Sequence, residues 1–289
     1  MNINFYCVGA QKAGTTTLHD ILIQHPEVYL PETKEAHFFD EDEKYKKGLN
    51  WYKKTFFSNY KGEKISGSCN PEYMYFDDVP KRIYDTIGTD VKFVFIFRNP
   101  MNRAYSHYLM SKRRCYEELS FADAILEEDK RIKKDYFNKT HFSYVSRGYY
   151  SQQVERYLKY FPKENMFFIK FEDDLIKNRK ETIDGLLTFL NIDKTNLNVD
   201  LKSNVARSSS FKFVQRFIYK KNFFKDFSSL FFSQKFKNST RKYLYKILMN
   251  PERENNLDIK TKISLFKLFS NDIIKLEKII GENLDSWKV

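Results

Sequence analysis

Apolar residues recur along this chain in two rhythms. Ile3 to Val8 is a short apolar run that opens into Gly9-Ala-Gln-Lys-Ala-Gly14-Thr-Thr-Thr17, after which Leu18, Ile21 and Leu22 repeat at helical spacing until His25-Pro26 interrupts them. The pattern predicts strand, loop and helix. Further strands are predicted over Lys64 to Cys69, Val91 to Phe97 and Met166 to Phe171. The run VKFVFIF is nearly continuous in apolar residues, as a parallel strand covered on both faces requires. Helices are predicted from Pro100, with Asn99 as cap and Met101, Ala104, Tyr105 and Tyr108 as stripe, and from Ser120, with Phe121, Ile125 and Ile132. Two more are predicted over Tyr149 to Phe161 and over Leu257 to Ile280. Strands alternating with helices argue for an α/β fold with a parallel sheet and right-handed crossovers.

Composition refines this picture. Among 289 residues, 50 Lys and Arg against 38 Asp and Glu leave a net charge of +12, with 42% apolar residues, nine Gly and seven Pro, which excludes a disordered or low-complexity chain. The charge is uneven. From Leu201 to Asn250 there are twelve Lys or Arg, twelve Phe or Tyr and a single acid, Asp226. We therefore expect an α/β domain over residues 1–210 and a basic, aromatic-rich helical extension over 211–289 packed on the same domain. Cys7, Cys69 and Cys115 form no CxxC pair, so neither a disulfide framework nor a metal site is expected. No run reaches the roughly 20 apolar residues of a membrane span, and the glycine motif arrives too early for a signal peptide, so a soluble, cytoplasmic protein is expected.

The glycine-containing loop between strand and helix is an anion-site candidate, because backbone amides and the helix dipole converge there. It nearly matches GxxxxGK[ST], but Thr15 stands where the lysine belongs and Lys12 lies inside the loop. An aspartate-ended strand suited to magnesium is also missing, since VKFVFIF ends in Arg98. A donor with a less charged transferable group, such as an adenylyl phosphosulfate, suits this loop better than a nucleoside triphosphate. Arg98 at a strand end and Ser106 in the second turn of the next helix could meet a further phosphate.

The strings GAQKAGTTTL and FIFRNPMNRAYSHYL together resemble the two cofactor-binding signatures of sulfotransferases that use 3'-phosphoadenosine-5'-phosphosulfate (PAPS). Through Gly148-Tyr149 and Asp173 the chain is similar to the carbohydrate branch, including heparan sulfate sulfotransferases. The resemblance covers roughly residues 3–210. It implies a P-loop-like three-layer fold with a central parallel sheet flanked by helices. It also implies that Lys12, Ala13, Gly14, Thr15, Thr16 and Thr17 hold the 5'-phosphosulfate, that Arg98 and Ser106 hold the 3'-phosphate, and that Arg207, in a later basic loop, closes over the donor. No metal is implied.

Lys34-Glu-Ala-His-Phe-Phe-Asp40 follows the first helix, and a carboxylate two residues from an imidazole, ahead of two phenylalanines, could form a partly dehydrated pocket that raises a carboxylate pKa. Spacing alone does not separate such a base from a solvated loop acid, nor His37 from a structural histidine. KEAHFFD is, however, similar to the KExHFFD element of glycosaminoglycan-type sulfotransferases, which implies Glu35 as the base, with His37 as runner-up base or orienting group and Asp40 behind it. One departure is visible: where those enzymes commonly carry a lysine in an EKxPxYF-type segment, this chain has Ser68-Cys-Asn-Pro-Glu-Tyr73, with Cys69 in the lysine's place.

The expected activity is sulfuryl transfer from PAPS to a carbohydrate hydroxyl, yielding adenosine 3',5'-bisphosphate. Rival readings are a P-loop kinase with an altered loop and a non-enzymatic binder of polyanions or anionic membrane, the latter suggested by charge alone. No nucleic acid partner is expected. Residues 211–246 are a candidate acceptor groove or peripheral membrane face on the inner leaflet, beside their plainer reading as a basic helical subdomain. The Lys-, Asn- and Phe-rich usage points towards an AT-rich genome, and so towards a microbial polysaccharide, lipooligosaccharide or glycolipid acceptor.

Overall fold

The computed structural model describes residues 1–201 and 257–288 and, between them, the backbone alone of 207–208 and 250–251. The basic aromatic stretch 211–246, the side chain of Arg207 and the domain boundary expected at 210 lie outside the described residues. The chain divides into two compact units, one of Met1–Ala104, Val145–Ser203 and Ile259–Val289, the other of Tyr105–Tyr144 and Asn204–Asp258.

The strands are β1 (Phe5–Gly9), β2 (Val28–Tyr29), β3 (Ile65–Cys69), β4 (Lys92–Phe97), β5 (Met166–Lys170) and the short pair β6 (Arg207–Ser208) and β7 (Asn250–Pro251). The helices are α1 (Thr15–Leu22), α2 (Asp42–Tyr45), α3 (Gly48–Phe56), α4 (Val79–Ile87), α5 (Pro100–Arg113), α6 (Phe121–Leu126), α7 (Glu128–Ile132), α8 (Tyr136–Phe142), α9 (Tyr150–Leu158), α10 (Arg179–Leu190) and α11 (Ile259–Ile280).

In the first unit β1 to β5 form one parallel sheet in the order β2-β3-β1-β4-β5, flanked by helices. Four of these are the expected strands. The fifth, β2, is two residues long and too short to leave a periodic trace in the sequence. Side chains alternate between the faces. Phe93 and Phe95 of β4 meet Tyr157 of α9 at 5.3 and 5.1 Å between ring centroids, and Phe97 meets Tyr150. On the other face Phe167 of β5 packs on Phe189 of α10. Burial on both sides explains the apolar run Phe93 to Phe97 of β4.

Helix α11 is seated on α9 at one close approach. A Cβ on Gly148 would lie 2.5 Å from the Phe269 ring, so only glycine allows that ring its place. Ser151 donates its hydroxyl to the buried Asp272 carboxylate, which also accepts the Ser151 amide at 3.2 Å. Among the described residues no helix is long and apolar enough to cross a membrane.

In the second unit, residues 105–144 are mainly helical, and β6 and β7 pair antiparallel. Asn99 caps α5, its side-chain oxygen accepting the Met101 amide, and Pro100 opens the helix as expected. Ser120 likewise caps α6 through the Asp123 amide, but the single helix expected there divides into α6 and α7 at Glu127. In this unit the buried Glu117 carboxylate accepts Arg131 at 2.7 Å and the Tyr144 hydroxyl at 2.8 Å.

Candidate active site

Because β3 lies on one side of β1 and β4 on the other, the chain reverses its direction of winding at β1, and ligand sites in open α/β sheets gather beyond the strand ends at such a point. The loop Gly9 to Gly14 leaves β1 there. Gly14 caps α1 with φ of 91°, and an added Cβ would fall 2.7 Å from Leu175 and 3.0 Å from Phe171. Lys12, a non-glycine residue, also has a positive φ of 71°. The first amides of a helix have no intrahelical acceptor, and Gly14 brings no side chain to cap those of Thr15 to Thr17. Backbone and dipole thus present an anion cradle.

Arg98, one residue beyond β4, reaches this loop and donates to the Lys12 carbonyl at 3.0 Å. Its guanidinium lies 5.1 Å from the Phe171 ring centroid and 4.0 Å from Glu172, whose carboxylate accepts the Asn99 amide. Burial raises the Glu172 pKa, against the pull of that amide and of Arg98. The Tyr150 hydroxyl holds the Arg98 carbonyl at 2.8 Å. The two signature segments therefore meet directly, through residues 86 positions apart. Ser106 is buried on α5 and falls in the second unit, and of Arg207 only the backbone, in β6, is described.

On the other side of the loop stands the segment carrying Glu35. Lys34 donates to Thr15 Oγ1 at 3.3 Å, Thr16 Oγ1 at 3.0 Å and Glu35 Oε1 at 2.8 Å. His37 Nε2 lies 3.8 Å from Glu35 Oε2, its Nδ1 pairs with Asp40 Oδ2 at 2.8 Å, and Asn70 donates to the other Asp40 oxygen at 3.4 Å. Burial presses the His37 pKa down, but the hydrogen bond and charge of Asp40, with Glu72 and Glu35 beyond, outweigh it and the net shift is upward. Phe38 and Phe39 do not wall in Glu35, whose side chain is 40% exposed. They are core anchors, Phe38 stacked on Tyr52 at 4.4 Å and Phe39 against Tyr6 and Tyr73. Their sequence signal was aromatic packing rather than dehydration of the acid.

Two further groups, Glu72 and Arg147, lie near the loop without having stood out in the sequence, while Cys69 had. Glu72, fully buried, accepts Gln11 of the loop at 2.9 Å and pairs with Arg147. Burial raises the Glu72 pKa although Arg147 opposes this. Cys69 is buried beside Cys7, its register partner on β1. Burial and Cys7 push its thiol well above the usual range, while the charge of Lys34 pulls the other way. An acid inside the Pro71–Tyr73 framework was the available hint for Glu72, but its partner lies 75 residues on. Among the described residues no cluster of His, Cys, Asp or Glu is arranged to hold a metal ion.

The model of the sulfotransferase domain family matches residues 4–247. Mouse heparan sulfate glucosamine 3-O-sulfotransferase 5 is 31% identical over 213 residues, covering 69% of this chain and 56% of that protein, and its human counterpart is 30% identical over the same share. The chain thus spans little more than half the length of these relatives. The crystal structure of a sulfotransferase from Alicyclobacillus acidocaldarius is similar over the full length of both chains, with a TM-score of 0.71 and 25% identity. A loop that departs from the ATPase pattern, an arginine that closes the neighbouring strand and a match running through both have one common explanation: the chain belongs to the sulfotransferase family.

Proposed function

We propose that this protein moves the sulfuryl group of PAPS to a hydroxyl of a carbohydrate, releasing adenosine 3',5'-bisphosphate. The observation that carries this reading is the hydrogen-bonded path from Thr15 and Thr16 through Lys34 to Glu35, which puts a carboxylate beside the anion cradle. In this reading Lys12 and the backbone of Ala13 to Thr17 hold the 5'-phosphosulfate, Arg98 and Ser106 the 3'-phosphate, and Arg207 closes the site. The acceptor oxygen attacks sulfur in line with the bridging oxygen. Its proton passes to Glu35 as the new S–O bond forms, and the old S–O bond breaks with its electron pair leaving on the bisphosphate, whose charge Lys12 offsets. His37, oriented by Asp40, holds Glu35 in line and shields it from solvent on one side.

The heparan sulfate relatives support a carbohydrate as acceptor class. Cys69 in the family lysine's position argues for an acceptor pocket of its own, so heparan sulfate is not carried over. A microbial polysaccharide or glycolipid, met at the cytoplasmic membrane face by residues 211–246, suits the basic and aromatic sequence there.

Calorimetry against adenosine 3',5'-bisphosphate, AMP, and ADP with magnesium tests the donor. The bisphosphate is expected to bind without metal and far more tightly than AMP; preference for ADP with magnesium would instead support a kinase. With labelled PAPS and a panel of polysaccharides and glycolipids, Glu35→Gln is expected to keep bisphosphate binding and lose about 100-fold or more in transfer, the ordinary worth of a positioned base. Unchanged turnover would remove Glu35 from the mechanism.

A further inference from the structure

Lys34 occupies a place that no function assigned above explains. Its ammonium links the first turn of α1 to the base: it hydrogen-bonds two hydroxyls at the cradle and the Glu35 carboxylate. Its side chain is only 15% exposed, so the charge is held in place and partly stripped of water. A group passing from a phosphate on α1 to an oxygen deprotonated by Glu35 moves between two places that this ammonium already touches. Its charge also reaches the sulfur of Cys69, at the end of β3, where glycosaminoglycan enzymes commonly place a lysine. The end of β3 thus supplies a neutral, buried thiol, which leaves Lys34 as a cation beside it.

We propose that Lys34 is a catalytic residue that holds the sulfuryl group during transfer. The proposal rests on the sulfotransferase reading. In the free enzyme the Lys34 ammonium is shared by Thr15, Thr16 and Glu35. With PAPS bound it turns part of that bonding to the sulfuryl oxygens, which leaves Glu35 free to accept the acceptor's proton. It forms no covalent bond; the S–O bonds made and broken are those already described. A point charge with three donors suits this exchange, because it can keep one hydroxyl while releasing the carboxylate.

The contact is to the sulfuryl group, which PAPS carries and adenosine 3',5'-bisphosphate lacks, so the two nucleotides separate it from a structural role without any acceptor. Calorimetric affinities for both are compared in the wild type, Lys34→Met and Lys34→Arg. In Lys34→Met, bisphosphate affinity is expected to stay within about twofold of wild type, while PAPS binding weakens about tenfold or more, as loss of one charge-assisted hydrogen bond predicts. Retained bisphosphate binding shows at once that the variant is folded. Lys34→Arg, which keeps the charge, is expected to keep most of the preference, and Lys34→Gln replaces Lys34→Met should the latter fail to fold. Equal weakening of both nucleotides would assign Lys34 to the loop or the phosphate and overturn the proposal, as would unchanged PAPS affinity. A wild type that binds neither nucleotide overturns the sulfotransferase reading itself, and that result is distinct from the other two.

Discussion

The loop from Gly9 to Gly14 is held by backbone angles that most residues avoid. Lys12 and Gly14 both have positive φ, and at Gly14 the space for a Cβ is already taken by Leu175 and Phe171. Gly14→Ala should therefore cost roughly 1–3 kcal/mol of stability and displace the loop, which a thermal melt and bisphosphate titration would register together. An unchanged melt and titration would mean that the packed segment yields freely. His37 sets a pH dependence. Its folded pKa is raised above 6.5, so the folded protein binds that proton more tightly than the unfolded chain. The associated stability is fully present below about pH 6.5 and is lost as pH rises through the folded value. Melting temperature should decline over that window in the wild type, and this part of the decline should vanish in His37→Asn, a residue that tolerates the positive φ of 53° found there. Glu35 and His37 could be read from the sequence because they lie two positions apart. Glu72 and Arg147 could not, since only the folded chain brings a buried acid to a base 75 residues away.

Elements show the same division between local and long-range information. β4 announces itself because burial on both faces demands an apolar run, and α5 because Asn99 and Pro100 satisfy and open its first turn. β2 exists only through its pairing with β3, and the π-helical turn Phe171–Lys177, which brings Phe171 and Leu175 over Gly14, has no distinctive spacing in FEDDLIK. Helix α11 was legible as an amphipathic helix, whereas its seat was not, because that depends on Ser151, Gly148 and Asp272 from segments over a hundred residues apart. Asp272→Ala removes the acceptor of two buried Ser151 donors, and should cost about 1–3 kcal/mol, a fall of several degrees in melting temperature. Pairing it with Ser151→Ala should recover part of the loss, since no buried hydroxyl is then left unpaired. If the single and double variants melt alike, the two side chains do not act as a pair.

For the whole molecule, the question is whether donor and acceptor are recognised by separable parts of the chain. The anion cradle at Gly9 to Thr17 lies in the first unit, and Lys34 and Arg98 reach it from the same unit. Nearly all of the chain's surplus charge is instead carried in sequence by Leu201 to Asn250, beyond most of the family's donor signatures. Close contacts in a partly buried cradle are screened little by salt, whereas attraction of a long polyanion to many surface cations is screened steeply over a Debye length of about 8 Å at physiological ionic strength. Replacing Lys220, Lys221, Lys225 and Lys235 together by Glu should therefore leave the affinity for adenosine 3',5'-bisphosphate nearly unchanged. The same variant should lose most low-salt binding to an anionic polysaccharide and to vesicles containing anionic lipid, with the two losses ranking which surface the stretch serves. In the wild type, bisphosphate at about 100 times its dissociation constant should add roughly 2.7 kcal/mol of stability, and the variant should retain that increment. Were the increment to disappear with the charges, residues 220–235 would belong to the donor site, and the division of labour between the two parts of the chain would be wrong.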